Sequence, residues 1–518
     1  RVDRDPPGSV RYRLADVRET GAAGEWQVVA PPRIGWNTRP HVTVPLPEAF
    51  GVVTPFRWVE IEGWSGSFDP AQVVRQSSFL KAWDEDAAHF ECSDPLLNRI
   101  WDLCKYSIKA TSFTGIFVDG DRERIPYEAD AYINQLTHYY TDADKQLARD
   151  TFDWLMIKPT WPTEWASHMV FVAYTDWMFT GDTQWLHPRY NGLKTKLLMH
   201  RVGEDGWVHS DKKTRNRMPG VRDIVDWPQG ERDGYVFREI NTVVNAFHLR
   251  TVQMMAELAE ALNRKGEAEI YRERFERGIK RFHEALWMED KGCYRDGIGT
   301  DHASAHATFF PLAFGLVPED HRDQAVAFLK TKGMACSVYA AQYLMDGLFS
   351  NGAADHALEL MMADNDRSWK HMVESGTTIT WEAWDQKYKP NQDWNHAWGA
   401  APGNLLPRHV LGVEPAEAGW KRIRIKPHPA FLTSATGKVP TPHGPVSVAW
   451  EKDANNFTLA CSIPEGATAE VFLPTMGTES RLTQAGPPLP VEKNGDRFSL
   501  GQVPPGSHRF TVRTSSSD

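Results

Sequence analysis

Cysteine is scarce. The five cysteines in 518 residues (Cys92, Cys104, Cys293, Cys336 and Cys461) are odd in number, scattered and never spaced as CxxC. That argues against a disulfide framework and against a cysteine zinc site. Long apolar runs are missing too: none reaches the ~18 residues a membrane-spanning helix needs, so no membrane partner is expected. Positive charge is outnumbered, with 58 Lys and Arg against 68 Asp and Glu, a net −10 at pH 7. A general nucleic-acid binder carries a basic surplus, so no nucleic-acid partner is expected either. No glycine-rich loop of the phosphate-cradling kind is present, and neither an organic cofactor nor a required metal is implied. The chain opens at Arg1 without a leader-like stretch, as a mature form or a fragment would.

Tryptophan is abundant, with 21 residues. Indoles fill cores, and they also stack on the C–H faces of sugar rings. The chain divides into three parts. Residues 1–88 carry short β-branched and aromatic runs between Pro and Gly clusters, such as Trp26-Gln-Val-Val and Phe56-Arg-Trp-Val-Glu-Ile-Glu, and read as an N-terminal β-sandwich region. Residues 89–410 switch to helical periodicity. Ser93-Asp-Pro-Leu-Leu is a capped helix start, and Val244, Phe247, Val252, Met255, Leu258 and Leu262 repeat at helical spacing before Gly266. Further helices are expected at 128–141, 144–156, 168–180, 267–287, 318–330, 334–348 and 352–363. About a dozen helices without a short repeat suit a mostly α, (α/α)6-barrel catalytic domain. Residues 411–518 alternate again, as in Arg422-Ile-Arg-Ile-Lys and Val446-Ser-Val-Ala-Trp, and predict a C-terminal β-sandwich.

The densest chemistry lies in Val118-Asp-Gly-Asp-Arg-Glu-Arg-Ile-Pro-Tyr-Glu-Ala-Asp130. Pro126 suits the first position of a helix, which leaves Glu123 in the loop ahead of it. Crowded carboxylates resist joint ionisation, and a carboxyl that stays protonated is what a general acid requires. The neighbouring arginines push the other way, and a salt-bridged helix cap is the alternative. A second cluster, Glu374-Ser-Gly-Thr-Thr-Ile-Thr-Trp-Glu-Ala-Trp-Asp385, sets Glu382 between Trp381 and Trp384. A carboxylate between two indoles is costly to bury without a partner or a purpose. In a sugar cleft the indoles form walls and the carboxylate activates a water. Trp394-Asn-His-Ala-Trp-Gly399 follows, with amide and imidazole groups suited to hydroxyls. Two carboxylates from distant loops fit glycoside hydrolysis, retaining or inverting. In Arg222-Asp-Ile-Val-Asp-Trp-Pro228, Asp226 could bind a hydroxyl and Trp227 stack on a ring, or both could belong to a capped turn and the core. His302 and His306 have metal-compatible spacing but no adjacent acidic ligand.

These blocks resemble the bacterial α-L-rhamnosidases of glycoside hydrolase family 78. Phe90-Glu-Cys-Ser-Asp-Pro-Leu-Leu-Asn-Arg-Ile-Trp101 resembles the opening of that family's catalytic domain. Asp121-Arg-Glu-Arg-Ile-Pro-Tyr-Glu-Ala-Asp130 resembles its RDERxGWxGD motif, and Gly376-Thr-Thr-Ile-Thr-Trp-Glu-Ala-Trp384 its TTxWExW motif. Tyr174-Thr-Asp-Trp-Met-Phe-Thr-Gly-Asp182, Asn395-His396 with Gly399, and Gly419-Trp-Lys-Arg-Ile-Arg-Ile-Lys-Pro427 follow in the family's order. The resemblance implies an (α/α)6 barrel flanked by β-sandwiches and an inverting mechanism. It gives Glu123 the general-acid role and Glu382 the general-base role. It makes Asp119, Arg122, Asp130, Asp226, Trp227 and His396 candidates for sugar contact, with Trp381 and Trp384 walling the cleft. Three departures lie beside the acid: Asp119-Gly-Asp-Arg122 replaces a DCPxR run, Pro126-Tyr127 replaces Gly-Trp, and Ala129 replaces Gly.

The expected function is exo-acting, inverting release of terminal α-L-rhamnose from a glycoside or oligosaccharide, the partner being that rhamnose-containing molecule. Two rivals stand beside it: an (α/α)6 carbohydrate enzyme of different sugar specificity, and a non-catalytic carbohydrate-binding protein.

Overall fold

A computed structural model describes residues 2–3, 44, 58–59, 66–72, 77–120, 123–210, 223–477, 479–486 and 488–514. Most of the expected N-terminal β runs lie outside these residues, although Trp58–Val59 pairs antiparallel with Val2–Asp3.

The helical part is built from hairpins in which one helix is buried on all sides and its partner on one face. Helices α2 (Glu128–Thr141), α4 (Thr163–Thr180), α6 (Thr242–Ala261), α8 (Ala305–Ala313), α10 (Val338–Ser350) and the short α13 (Pro402–Leu405) are the inner set. Each touches the next, and α13 returns to α2 to close the ring. Nearly every position of α2 and α8 is buried; α8 is accordingly apolar almost all round, whereas α2 also buries polar side chains such as Asp130, Gln135, Thr137 and His138. The outer set is α1 (Pro95–Thr111), α3 (Gln146–Ile157), α5 (Thr183–Leu193), α7 (Lys265–Leu286), α9 (Arg322–Lys332) and α11 (Ala354–Met361). These carry one-sided patterns; α7 buries only Ala268, Phe282 and Leu286. This is the six-hairpin barrel expected from the sequence. A further short helix, α12 (Trp369–Glu374), lies in the connection after α11.

Local chemistry sets the helix starts. Asp94 caps α1, accepting from Leu96 N at 2.8 Å, with Pro95 in the first turn, where its missing N–H costs nothing. Helix α2 starts two residues later than the Pro126 reading: Tyr127 keeps an extended backbone (φ −129°, ψ 149°) and serves as the cap residue.

The C-terminal part is a sandwich of two sheets. One holds six strands, ordered Ser480–Gln484, Gly506–Thr514, Asn456–Ile463, Val446–Lys452, Ser434–Val439 and His89–Cys92. The other holds five, ordered Glu492–Asn494, Arg497–Val503, Thr468–Pro474, Arg422–Ile425 and Val413–Pro415. Phe457, Leu459, Cys461 and Ile463 alternate inward, the pattern of a sheet packed on one face. His89–Cys92, ahead of the barrel in sequence, pairs with Ser434–Val439 and so ties the barrel's entrance to the far sandwich. A chain of ion pairs joins the two units: Asp346 on α10 to Arg408 (2.9 Å), Arg408 to Glu414 (3.3 Å), and Glu414 to Arg424 (3.0 Å). All five cysteines are buried and unpaired.

Candidate active site

In a hairpin barrel the inner helices run the same way, so the segments that lead into them gather at one end. Asp119, Glu123 and Tyr127 lead into α2, which supplies Asp130. Trp161 and Trp165 belong to the start of α4. Trp227 comes from the loop ahead of α6, and Glu382, His396 and Trp398 from the segment ahead of α13. These ten side chains line one cavity of about 130 Å³. The converging helix N-termini add partial positive charge near the carboxyls.

The loop bearing Glu123 is closed at its base. Asp119 N donates to Ile125 O (2.8 Å), and Ile125 N donates to the Asp119 carboxylate (3.0 Å). Arg124, at φ 56°, makes the turn in left-handed backbone, and its N–H bonds Gly120 O at 3.1 Å. Glu123 is half-buried, and its Oε2 accepts from the Tyr127 hydroxyl at 2.6 Å. Arg122 lies outside the described residues.

The loop bearing Glu382 is folded against the 393–396 segment. His396 N donates to Thr380 O (2.8 Å) and Glu382 N to Asp393 O (3.0 Å). The Glu382 carboxylate is 2% exposed on a residue basis, yet it is held on several sides. Lys389 Nζ lies 2.8 Å from Oε1 and 2.9 Å from Oε2, and Asp393 N donates to Oε2 at 2.8 Å. Charge-assisted bonds of this kind are the strong ones. Trp398 Nε1 donates to Glu382 O at 3.0 Å, and its ring stacks on His396, centroids 4.4 Å apart. His396 Nε2 lies 2.5 Å from Asp130 Oδ1.

The two loops touch. A Cβ built on Gly120 would fall 2.3 Å from Asp393 Cβ and Cγ. Glycine is therefore required at position 120. Gly120→Ala must push the loops apart, and a shift of about 1 Å at a catalytic group costs about 10²-fold in rate. We expect that loss in kcat/KM with little change in melting temperature; unchanged kinetics would remove the contact's importance.

Burial and like charge set the electrostatics. Burial first, then the charges of Glu123, Asp393 and Asp130, hold the Asp119 carboxyl well above the usual range. Burial, and next the charge of Glu382, does the same to Asp130. Glu382, Asp393 and His396 bring one ligand atom each within 4.8 Å of one another, a set a divalent cation could use. The Lys389 ammonium already sits on Glu382, and a second cation there would be repelled.

A family model described as the bacterial alpha-L-rhamnosidase 6-hairpin glycosidase domain matches residues 85–410. The chain belongs to that family. A second model, the bacterial alpha-L-rhamnosidase C-terminal domain, matches residues 412–486. An alpha-L-rhamnosidase of Formosa agariphila is 24% identical over 509 residues, covering 89% of this chain and 52% of that protein. One of Streptomyces avermitilis is 28% identical over 287 residues, covering 52% of this chain and 27% of that protein. The chain thus spans about half the length, or less, of these curated relatives. Among solved structures, an alpha-L-rhamnosidase of Dictyoglumus thermophilum aligns with a TM-score of 0.71 at 20% identity, over 83% of this chain and 51% of that one. The Streptomyces avermitilis enzyme complexed with L-rhamnose aligns at 0.66 and 22%, over 82% of this chain and 42% of that one. At these identities the likeness is one of fold.

Of the family-implied residues, Asp119, Glu123, Asp130, Trp227, Glu382 and His396 meet at the cavity. Three do not line it. Trp384 is fully buried, donates Nε1 to Cys336 O at 2.8 Å and packs edge-on against Trp369. Trp381 is buried against Trp394 and His371. Both are core rather than cleft walls, because the backbone around Glu382 turns its carboxylate and the flanking indoles to different sides. Asp226 is fully buried: its Oδ2 lies 2.7 Å from His306 Nε2 and accepts Ser337 N at 2.9 Å, and its Oδ1 accepts the Ser337 hydroxyl. It is a staple at the N-terminus of α10 and has no free face for a sugar. His302 and His306 part company, His302 bonding Asp296 at 2.5 Å. Sequence reading missed Tyr127, Trp161, Trp165, Lys389 and Asp393. Lys389 and Asp393 lie close after Glu382 in the chain, but nothing in their own pattern marked them.

Proposed function

We propose that this chain is an exo-acting glycoside hydrolase that releases terminal α-L-rhamnose with inversion at the anomeric carbon. The observation that carries the reading is the pair of carboxyls, Glu123 and Glu382, that line one cavity. Glu382 is bound by an ammonium and a backbone N–H, the partners of a carboxylate, which is the form a base needs. Glu123, half-buried on the same cavity, serves as the acid. Glu123 protonates the glycosidic oxygen as its bond to the anomeric carbon breaks. Glu382 takes a proton from the water that attacks that carbon. Asp119, Asp130 and His396 meet sugar hydroxyls, and the half-buried Trp227 offers its face to the ring. The cavity of about 130 Å³ among the described residues suits a single terminal sugar.

The test is hydrolysis of p-nitrophenyl α-L-rhamnoside followed by NMR. We expect β-rhamnose as the first product; α-rhamnose first would overturn inversion. Turnover of a different aryl glycoside, with the rhamnoside left intact by folded protein, would favour the reading the departures at Gly120, Pro126 and Tyr127 allow, another sugar on the same carboxyl pair.

A further inference from the structure

We infer that Glu164 is a positioning residue for Trp227: its buried carboxylate fixes the turn that presents this indole to the cavity. This rests on Trp227 offering its face to the sugar. Glu164 is 1% exposed and is not among the side chains that line the cavity. Its two oxygens accept from successive backbone amides, Oε2 from Ile224 N at 3.1 Å and Oε1 from Val225 N at 3.0 Å. A carboxylate supplies both acceptors, whereas an amide side chain offers one oxygen. The charge is held at a cost: burial, and next the charge of Asp223, raise the Glu164 pKa. The two amide bonds and its place in the first turn of α4 work against that cost.

The turn needs an anchor. Val225 sits at φ 62°, and Asp226 N donates to Ile224 O at 2.6 Å, which closes a three-residue turn of the strained hand. A β-branched residue takes this backbone only when its surroundings impose it. Trp227 follows at once and lines the cavity, half-buried. The anchor comes from the segment that supplies the other indoles. Trp161-Pro-Thr-Glu-Trp165 contributes two cavity tryptophans and, between them, the carboxylate that holds the third. Trp227 meets Trp161 edge to face, with centroids 6.2 Å apart at 79°. Glu164 therefore ties two walls of one cavity at a fixed spacing.

Its position differs from that of Asp226, two residues along the same turn from Ile224. The Asp226 carboxylate also bonds Ser337 at the start of α10 and His306 on α8, so its loss reaches the barrel wall. Among the described residues the carboxylate bonds of Glu164 go to the turn. Weakening them leaves the helices bonded as before and frees the indole. An indole that stacks on the sugar in both ground and transition states supplies uniform binding. Misplacing it raises KM and leaves kcat nearly unchanged.

Glu164→Gln keeps the size of the side chain but removes one acceptor and turns an NH2 toward a backbone N–H. The test is a double-mutant cycle with Trp227→Ala, read as KM and kcat on p-nitrophenyl α-L-rhamnoside. We expect Trp227→Ala to raise KM by about tenfold, the factor that one aromatic contact of roughly 1.4 kcal/mol carries. Glu164→Gln should raise KM by about three- to tenfold, with kcat within about twofold of wild type. In the double variant KM should stay within about twofold of Trp227→Ala alone, because the anchor then has no indole to place. KM does not depend on the fraction of folded protein, so partial unfolding cannot mimic the rise. Glu164→Asp keeps the charge but is one methylene short of spanning both amides, and it should raise KM in the same direction. An unchanged KM in both Glu164 variants, or a rise that multiplies that of Trp227→Ala, would overturn the role of Glu164 alone. An unchanged KM in Trp227→Ala would remove the indole from the sugar, and the role of Glu164 with it.

Discussion

Glu382→Gln is expected to lower kcat on an aryl α-L-rhamnoside by about 10²–10⁴-fold, the span that positioned acid–base groups supply. KM should stay within a small factor, since the amide keeps the shape of the carboxylate. The variant is nearly isosteric, but it cannot take a proton from water. It also changes the balance with Lys389, whose ammonium is bonded to both Glu382 oxygens and is itself 5% exposed. A buried ammonium that loses its carboxylate is destabilised, so the melting temperature should fall by a few degrees without loss of the native circular dichroism. The good leaving group of 2,4-dinitrophenyl rhamnoside should not rescue this variant, because the attack of water is what fails. Rescue by leaving-group acidity, or a kcat near wild type, would move the base role away from Glu382. The contrast with Glu123→Gln, whose defect should shrink on the activated substrate, separates the two roles by one pair of assays.

Much of the fold was legible in the chain. Helix α2 spans 128–141, as its pattern predicts, and α7, with three buried residues in twenty-two, announces its outward face through charge. The C-terminal strands were legible for the same reason in a period of two: Phe457, Leu459, Cys461 and Ile463 point one way. What escaped lacked a period. Helix α8 is nine residues, buried on almost every side, with Pro311 inside it, so neither stripe nor length marks it. Helix α5 carries Pro188 and buries only Leu186, Tyr190 and Leu193. In the site, Glu123 stood out through the crowd of charged residues around it, and Glu382 because a carboxylate beside indoles needs a reason. Their partners did not. Tyr127 reads as an ordinary aromatic residue at a helix start, and Lys389 as one more surface lysine. Only the folded loops reveal that one bonds Glu123 and the other Glu382. Trp381 and Trp384 illustrate the reverse error. Indoles next to a candidate carboxylate in sequence suggest sugar walls, yet in the structure Trp161, Trp165 and Trp227, from other segments, line the cavity.

Asp226→Ala should unfold the barrel at markedly lower temperature and weaken substrate binding only as a consequence. Adjacent residues here have opposite roles. Trp227 faces the cavity, whereas Asp226 faces the barrel wall, where it has no exposed surface. Its carboxylate accepts Ser337 N at 2.9 Å and the Ser337 hydroxyl, lies 2.7 Å from His306 Nε2, and accepts Trp227 N at 2.7 Å. Ser337 Oγ in turn caps α10 through Ala340 N at 3.1 Å. From the other side Glu164, at the start of α4, accepts Ile224 N at 3.1 Å and Val225 N at 3.0 Å. These bonds hold Val225 at φ 62°, a left-handed backbone that a β-branched residue adopts only when its surroundings impose it. Truncation at 226 strands several buried polar groups, each worth about 1–3 kcal/mol when left unsatisfied. We expect a total loss of about 3–5 kcal/mol, within the range for a broken buried pair. Thermal unfolding followed by circular dichroism measures it, and KM on the aryl rhamnoside reports the freed Trp227. If Asp226 instead touched sugar, KM would rise while the melting temperature held. A stable Asp226→Ala protein with a raised KM is therefore the outcome that would return Asp226 to the substrate.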